Sequence, residues 1–182
     1  MKKDVNSLLD VTDKEKEQQG SQGRIGESTG KEIYPWFPLF ISLENKKAVV
    51  FGGGKIAKRR ILSLQPFGAA IKVIAPEIHE ELLRNESLSI IQREYRNGDC
   101  CGADLVIAAT DKTAVNHEIA EECRVLGIPV SVADSKELCT FYFLGIVRKD
   151  NLVIGLTASG EDHEGVKRAV QKLQLHIDEI LK

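Results

Sequence analysis

Residues 48–57 read AVVFGGGKIA, an apolar run that ends in three glycines and continues into helix-forming residues. The run has the length of a buried strand, and the G-x-G-x-x-A pattern of Gly52, Gly54 and Ala57 is typical of a strand that turns directly into a helix. Gly52 permits the tight turn, Gly54 lets the backbone approach a ligand closely, and Ala57 lets the helix lie near the strand. This stretch therefore predicts the first βα unit of an open α/β sheet.

The chain beyond this unit repeats the alternation of strand and helix. Several of the later strands are almost entirely apolar, as expected for a sheet covered on both faces, and the segments between them have the length of crossover helices. The predicted fold class is therefore α/β, with a Rossmann-like parallel sheet. The predicted strands are 48–52, 71–75, 89–95, 105–110 and 129–134, and the predicted helices are 55–66, 78–85 and 113–126.

The first 32 residues differ in composition from the rest of the chain. They are rich in Lys, Glu, Asp, Gln, Ser and Gly, and their apolar residues form only one short patch at 8–11. Such a segment buries too little apolar surface to offset its ordering entropy, so residues 1–32 are predicted to form a disordered polar tail. Aromatic residues and prolines at 33–40 predict an extended segment that lies over the folded body.

The pattern changes after Asp134. Apolar runs at 141–147 and 152–158 flank a polar turn, which predicts an antiparallel hairpin, and Asp162 is the predicted N-cap of a closing helix. A hairpin with one helix forms a poor core, so we expect the apolar face of this helix to pack against a second subunit. The predicted organisation is a polar tail (1–32), a Rossmann domain (33–140) and a dimerisation region (141–182), whose helix carries an apolar stripe of Val166, Val170, Leu173, Ile177 and Ile180.

Charge and composition exclude several classes of partner. The chain has 25 Lys and Arg against 27 Asp and Glu, a net charge of −2, so no bulk positive field is available to hold nucleic acid or an anionic membrane. It has no apolar run of membrane-spanning length and no apolar segment of a signal peptide near its start, which predicts a cytoplasmic protein. The four cysteines, Cys100, Cys101, Cys123 and Cys139, lack metal-site spacing, so neither a disulfide scaffold nor a metal site is predicted.

The glycine turn predicts a dinucleotide site, because amides at the start of the helix would face the phosphate charge. The spacing leaves NAD and NADP open. The acidic residue expected at the end of the second strand is absent, and Glu77 is the nearest acid. Four cations in the following helix either favour an additional phosphate, meet an anionic substrate, or form a solvated helix face. They are Lys55, Lys58, Arg59 and Arg60.

Two further stretches are predicted to reach the carboxyl edge of the sheet, where open α/β sheets bind ligands. The small residues Ala108 and Ala109 leave room for a cofactor, while Thr110 or Asp111 is available to cap the next helix. Asp134 ends the fifth strand beside apolar and aromatic residues, a setting suited to a general base, with helix capping or turn formation as the alternative. His117 and His163 are weaker candidates for metal or carboxylate contacts, since lone histidines are usually surface or capping residues.

Taken together, these motifs resemble the precorrin-2 dehydrogenase family, the NAD-dependent dehydrogenase module of siroheme synthases. The family oxidises precorrin-2, a reduced tetrapyrrole with eight carboxylates, to sirohydrochlorin while a hydride passes to NAD, and some members also insert ferrous iron. The resemblance leaves that second activity open for this chain. It covers about residues 36–182 and is carried by 37–40 (FPLF), 50–57 (VFGGGKIA), 73–77 (VIAPE), 108–111 (AATD), 132–134 (VAD) and 138–141 (LCTF).

The resemblance also implies site residues. It implies that Gly52, Gly53, Gly54, Lys55 and Ile56 surround the pyrophosphate and that Thr110 and Asp111 lie near the nicotinamide half. The essential aspartate of the family, a proton acceptor in dehydrogenation and a helper in chelation, falls on Asp134. The strands and helix after the Rossmann domain imply a homodimer.

The chain departs from the family pattern before its closing helix. Residues 157–163 read TASGEDH where the family commonly has small neutral residues, and acids facing the pocket would repel a substrate rich in carboxylates. Many members also continue into a further helical domain. The alternative function is a non-catalytic, dimeric NAD(H)-sensing module with the tail as a tether. Such a sensor needs the glycine turn but no base at Asp134.

Overall fold

The computed structural model describes residues 36–158 and 161–181, and residues 36–182 form one compact unit. The polar tail predicted at 1–32 lies outside the described residues and stays a prediction.

Five parallel strands form the sheet of this unit, in the order β3-β2-β1-β4-β5. The chain starts at the central strand, moves outward on one side, and then crosses to the other side. The predicted parallel α/β fold is confirmed. The strands are β1 (Lys47–Phe51), β2 (Ala70–Ile74), β3 (Ser89–Ile91), β4 (Leu105–Ala108) and β5 (Val130–Val132).

Helices cover both faces of this sheet. The first crossover contains α1 (Lys55–Leu64), which continues into a 3-10 helix at Gln65–Phe67. The second contains only the short α2 (Glu80–Leu83), and α3 (Thr113–Leu126) connects β4 to β5. The left-handed Gly127 ends α3, so its bounds coincide with the predicted 113–126.

The strands alternate their side chains between two apolar cores. On one face, Val49 and Phe51 pack with Ile119 and Cys123 of α3. On the other face, Val50 packs against the α1 side of the sheet, together with the rest of a second core that includes Ala48, Ala57, Ile61 and Ile107. Because β1 and β4 lie between both cores, their sequences are almost wholly apolar.

The outer edge of β5 is closed by side chains of the segment that follows it. The amide of Val130 donates to Oγ1 of Thr140 at 2.8 Å, and the amide of Thr140 donates back to the Val130 carbonyl at 2.8 Å. The amide of Val132 donates to Sγ of Cys139 at 3.1 Å. The segment therefore pairs the outward amides of Val130 and Val132 and the Val130 carbonyl without forming a sixth strand.

The predicted hairpin and its helix follow the parallel sheet within the same compact unit. They are β6 (Gly145–Lys149), β7 (Leu152–Leu156) and α4 (His163–Ile180). Asp162 is the N-cap of α4, as predicted, and its Oδ1 accepts from the Gly165 amide at 2.6 Å. The apolar stripe of α4 packs on β6. A Cβ at Gly145 would lie 2.6 Å and 2.7 Å from the side chains of Val170 and Val166. Part of the stripe is therefore covered within one chain.

Several boundaries differ from the predictions: β3, β4 and β5 end two to four residues earlier, and the ends of α1 and α2 also differ by two residues. The hairpin starts at Gly145 instead of 141, because Phe141 and Phe143 pack against the α1-side core of the sheet. The segment at 33–40 was predicted to lie over the folded body, and its residues 36–40 belong to the described part of the chain. Instead, Phe37 is 86% exposed and Phe40 is 69% exposed, although the Trp36 ring lies 4.3 Å from the Tyr142 ring.

No helix in the described part of the chain combines the length and apolar character that a membrane span requires.

Candidate functional site

The glycine turn begins at Gly52, which contacts the ends of both strands beside β1, namely β2 and β4. Its φ is +110°, a conformation that L side chains rarely adopt, and its amide donates to the Ile74 carbonyl at 3.0 Å. A Cβ at this position would lie 2.1 Å from the carbonyl oxygen of Ala109. Gly52 therefore lets the chain cross directly over the end of β4.

Gly53 is packed against the loop that follows β2. A Cβ here would lie 2.3 Å from the Glu77 carbonyl oxygen, and the Gly53 carbonyl accepts from the His79 amide at 2.9 Å. The structure thus supplies a packing reason for a residue that the sequence placed beside the cofactor. The Glu77 side chain is exposed.

Gly54 differs from the other two glycines because the space around it is open. It is the N-cap of α1 with an extended backbone, and no atom lies within 4 Å of the position that a Cβ would occupy. The first turn of α1 contains no acid, and the amides of Lys55 and Ile56 precede the first hydrogen bond of the helix, from the Lys58 amide to the Gly54 carbonyl. Ala57 is completely buried. The turn therefore fits a dinucleotide pyrophosphate, with open space and free donors at the same place.

The four predicted cations divide into two groups. Lys55, Lys58 and Arg59 line a concavity of about 550 Å³ that also includes His79. Lys58 forms an ion pair with a carboxylate of α2, so only part of this charge faces solvent unpaired.

Arg60 turns away from that concavity toward β5. Its Nη1 donates to Oγ of Ser131 at 3.1 Å, and its guanidinium lies 5.0 Å from the centre of the Phe143 ring. Burial lowers the pKa of the Arg60 guanidinium from its ordinary value. Arg60 therefore connects α1 to β5 and to the segment that leads to the hairpin.

At the end of β4, Thr110 is bonded to α3. Its amide and its Oγ1 donate to Oδ1 of Asn116, at 3.1 Å and 2.8 Å. The predicted caps, Thr110 and Asp111, precede the observed N-cap, Lys112, although Oγ1 of Thr110 accepts from the Lys112 amide at 3.2 Å. Ala109 lies under Gly52, as described above.

Asn116 is a site residue that the sequence reasoning missed. Its side chain is completely buried, and its amide group uses all of its strong hydrogen-bonding directions. Nδ2 donates to the Thr110 carbonyl at 3.2 Å and to Oδ1 of Asp134 at 3.0 Å. Asn116 therefore joins the loop after β4 to the residue after β5.

The structure places Asp134 at the predicted edge of the sheet but in a more polar setting than expected. Asp134 is exposed, and its Oδ2 accepts from Oγ1 of Thr113 at 2.7 Å. The expected aromatic neighbours do not enclose it: Phe141 packs in the α1-side core and Tyr142 packs against Trp36. The expected apolar and aromatic surroundings of Asp134 are replaced by polar ones because its side chain turns toward the start of α3.

The histidines and cysteines lie outside this constellation. His117 lines a separate groove of about 1070 Å³ along α3, and His163 is the first residue of α4. All four cysteines are free, and contact with Cys123 together with burial raises the pKa of the Cys100 thiol. Within residues 36–158 and 161–181, no group of three His, Cys, Asp or Glu side chains is arranged to hold a metal ion.

A family model described as "Putative NAD(P)-binding" matches residues 39–145. The match contains the glycine turn, all five strands of the parallel sheet and Asp134. It covers more than half of the chain.

Two curated relatives are similar over most of this chain. A siroheme synthase from Psychrobacter sp. (strain PRwf-1) is 39% identical over 128 residues, which cover 69% of this chain and 26% of the relative. A protein of Ruminiclostridium josui named "Probable multifunctional siroheme biosynthesis protein HemA" is 40% identical over 146 residues, covering 78% of this chain and 28% of the relative. The chain thus spans about a quarter of the length of these proteins.

A solved structure named "SirC, precorrin-2 dehydrogenase" has a similar fold. The TM-score is 0.64 with 24% sequence identity, and the alignment covers 78% of this chain and 71% of that chain. This similarity extends the agreement from sequence to three-dimensional architecture.

Proposed function

The chain belongs to the NAD(P)-binding family that its residues 39–145 match, and we propose that it catalyses the NAD-dependent dehydrogenation of precorrin-2 to sirohydrochlorin in siroheme biosynthesis. The resemblance to precorrin-2 dehydrogenases predicted from the sequence is confirmed by the similarity to siroheme synthases and to SirC. The names of these relatives supply the substrate of the proposal. The structure supplies the site.

One observation carries the proposal: a continuous series of contacts connects the glycine turn to the carboxylate. Gly52 lies on the carbonyl of Ala109, the next residue Thr110 is bonded to Asn116, and Asn116 is bonded to Asp134. A dinucleotide held at the turn and a proton acceptor are therefore supported by one framework along the carboxyl edge of the sheet. Dehydrogenation of a ring needs both groups side by side.

The residues divide the chemistry between them. Bound NAD supplies a nicotinamide ring that accepts a hydride from the macrocycle. The amides of Gly54, Lys55 and Ile56 would hold the pyrophosphate, and Ala109 with its neighbours Thr110 and Asp111 would border the nicotinamide half. Oxidation of the ring removes a hydride and a proton, and Asp134 takes the proton. Its two oxygens each accept one hydrogen bond from α3, which leaves further lone pairs for the substrate.

The proposal includes a homodimer. Exposed apolar side chains remain after the hairpin and α4 have packed together: Leu175 is 79% exposed and Ile180 is 59% exposed. A two-stranded hairpin with one helix has little core of its own. Burial against a second copy of the chain would explain why these apolar side chains are exposed in a single chain. The cytoplasmic location and the exclusion of nucleic acid and membrane as partners stay predictions from the sequence. Iron insertion is an additional activity that the sequence leaves open.

The decisive experiment incubates the full chain with precorrin-2 and NAD while the absorbance of the macrocycle and of NADH is followed. We expect sirohydrochlorin and NADH to appear in equal amounts. Asp134→Asn and Asp134→Ala should lower turnover by roughly 10² to 10⁴ while the affinity for NAD stays unchanged, because the carboxylate acts on the substrate. Asp178→Asn is the matched control, since it removes an exposed carboxylate from α4.

The outcomes separate the two candidate functions. NAD binding without any oxidation of precorrin-2 would favour the sensing module over the enzyme. Oxidation that persists near the wild-type rate in both Asp134 variants would keep the enzyme but remove Asp134 as its base. Ferrous iron added to the same reaction tests chelation, with iron as a substrate.

A further inference from the structure

We infer that Asn116 is a positioning residue: it fixes the carboxylate of Asp134 relative to Thr110, and thus relative to the cofactor. The inference rests on the proposed function, in which Asp134 accepts the proton. Neither the sequence motifs nor the family similarity assigns a role to Asn116. The argument starts from its place in α3.

Asn116 is the polar member of an otherwise apolar buried stripe. The buried residues of α3 are Asn116, Ile119, Ala120 and Cys123, spaced as one face of a helix that packs on the sheet. Packing alone would be satisfied by an apolar side chain at the first of these positions. A buried amide destabilises the fold unless each of its groups is paired, so its presence needs a reason other than packing.

The pairing of this amide is complete and directional. Oδ1 accepts from the amide and Oγ1 of Thr110, while Nδ2 donates to the Thr110 carbonyl and to Oδ1 of Asp134. Rotation of the group by half a turn would place its oxygen against a carbonyl and a carboxylate and its NH₂ against the Thr110 N–H. One orientation therefore satisfies every partner.

Two donors from α3 hold the carboxylate of Asp134. Nδ2 of Asn116 binds Oδ1 from the buried side, and Oγ1 of Thr113 binds Oδ2 from the exposed first residue of the helix. Hydrogen bonds on both oxygens prevent the carboxylate from rotating about its bond to Cβ. Because Asn116 is buried and Thr113 is exposed, the first contact is the one that solvent cannot replace.

The test uses two substitutions that separate the two sides of the amide. Asn116→Asp keeps the size and the acceptor for the Thr110 amide but loses both donated hydrogen bonds, to the Thr110 carbonyl and to Asp134. Asn116→Ala loses the acceptor as well. We expect kcat for precorrin-2 to fall roughly 10- to 100-fold in each variant while KM changes less than about threefold, because the carboxylate is misplaced but the substrate still binds. Asn151→Asp, in the exposed hairpin turn, is the matched control.

A double variant tests whether Asn116 and Asp134 stabilise the fold as a hydrogen-bonded pair. Asn116→Asp combined with Asp134→Asn restores one donor and one acceptor, with the carboxylate now at the buried position. We expect it to regain the melting temperature that Asn116→Asp loses, while turnover stays low because Asp134, the proposed base, is replaced. If the double variant does not regain the melting temperature, or if Asn116→Asp keeps the wild-type kcat, the inference is wrong.

Nuclear magnetic resonance judges the inference even if the wild type does not oxidise precorrin-2, which would refute the proposed function separately. In Asn116→Asp the Thr110 amide should stay protected from hydrogen exchange, while the carboxyl carbon signal of Asp134 shifts. In Asn116→Ala both signals should change. An Asp134 carboxyl signal that is unchanged in both variants would overturn the positioning role.

Discussion

Replacing single glycines with alanine measures how strongly the turn after β1 is held by its neighbours. Three positions form a matched series. Gly52 combines a positive φ of +110° with a predicted Cβ position 2.1 Å from a backbone oxygen. Gly127, which ends α3, has a φ of +68° but nothing within 4 Å, and Gly54 has an extended backbone and open space. Alanine at Gly52 therefore meets both backbone strain and a steric overlap, alanine at Gly127 meets the backbone strain only, and alanine at Gly54 meets neither.

The magnitudes follow from these costs. A positive φ destabilises a non-glycine residue by about 1 to 2 kcal/mol, so Gly127→Ala should lower the free energy of unfolding by that amount. Gly52→Ala adds an overlap with the backbone of β4, which cannot move without separating β1 from β4, and overpacking costs about 1 to 3 kcal/mol more. The expected total is about 2 to 5 kcal/mol. Gly54→Ala should cost less than about 1 kcal/mol, the effect of a poorer N-cap.

Urea unfolding followed by circular dichroism gives the three free energies under one condition. The order of destabilisation should be Gly52, then Gly127, then Gly54. If Gly52→Ala unfolds in a single transition at the same urea concentration as Gly127→Ala, the overlap with Ala109 does not control the turn. If Gly52→Ala does not fold in buffer alone, all three variants are compared in stabilising sulfate, where the same order should hold.

Three further perturbations test other parts of the molecule. Gly54→Val should abolish NAD binding in calorimetric titration without unfolding the sheet, because its side chain would fill the open space beside the first turn of α1; unchanged affinity in the folded variant would remove the turn from the cofactor site. Leu175→Asp should give a monomer in analytical ultracentrifugation with little loss of stability, whereas Ile177→Asp should unfold the hairpin region because its side chain is only 6% exposed; a wild type that is monomeric at micromolar concentration contradicts the dimer. Hydrogen bonds from Arg93 hold the pKa of Asp99 below its usual range, so the stability that they contribute is present above the unfolded-state pKa and is lost as the pH falls through the folded-state pKa; the difference in unfolding free energy between wild type and Asp99→Asn should therefore shrink on acidification.

The elements of the fold were accessible from the sequence because their signals are local. The helix at Thr113–Leu126 coincides with its prediction, since an apolar period and a terminal glycine mark both its face and its end. The start of the hairpin was less accessible. The run from 141 to 147 has the composition of a strand throughout, but Phe141 and Phe143 pack on the sheet, and only the residues from Gly145 onward pair with β7.

The candidate site was predicted in outline, whereas its hydrogen-bond network was not. Gly52, Gly54 and Asp134 stand at the ends of strands, so their convergence follows from parallel topology. Asn116 is a single amide between Val115 and His117 and carries no motif. Its spacing to Ile119 and Cys123 places it on the apolar face of α3, and this spacing is the signal that would have indicated its burial.

Gly53 has a structural role that the sequence motif does not reveal. The family resemblance implies that Gly53 lies beside the pyrophosphate, and the structure adds that its Cβ position lies against the carbonyl of Glu77. That contact depends on the path of the loop after β2, which no short-range pattern in the sequence specifies. A residue inside a binding motif can thus also have a packing reason to be glycine.

The side-chain closure of β5 limits how this protein can assemble. A bare edge strand offers a row of amides and carbonyls to any other extended chain, and this is a route to aggregation. Here Thr140 and Cys139 occupy the amides of Val130 and Val132. The sheet cannot be extended from this side by strand addition, so a second copy that associates here must do so through side-chain surfaces. A thiol is the weaker of the two acceptors, which makes the Cys139 contact the point at which the protection of this edge would fail first.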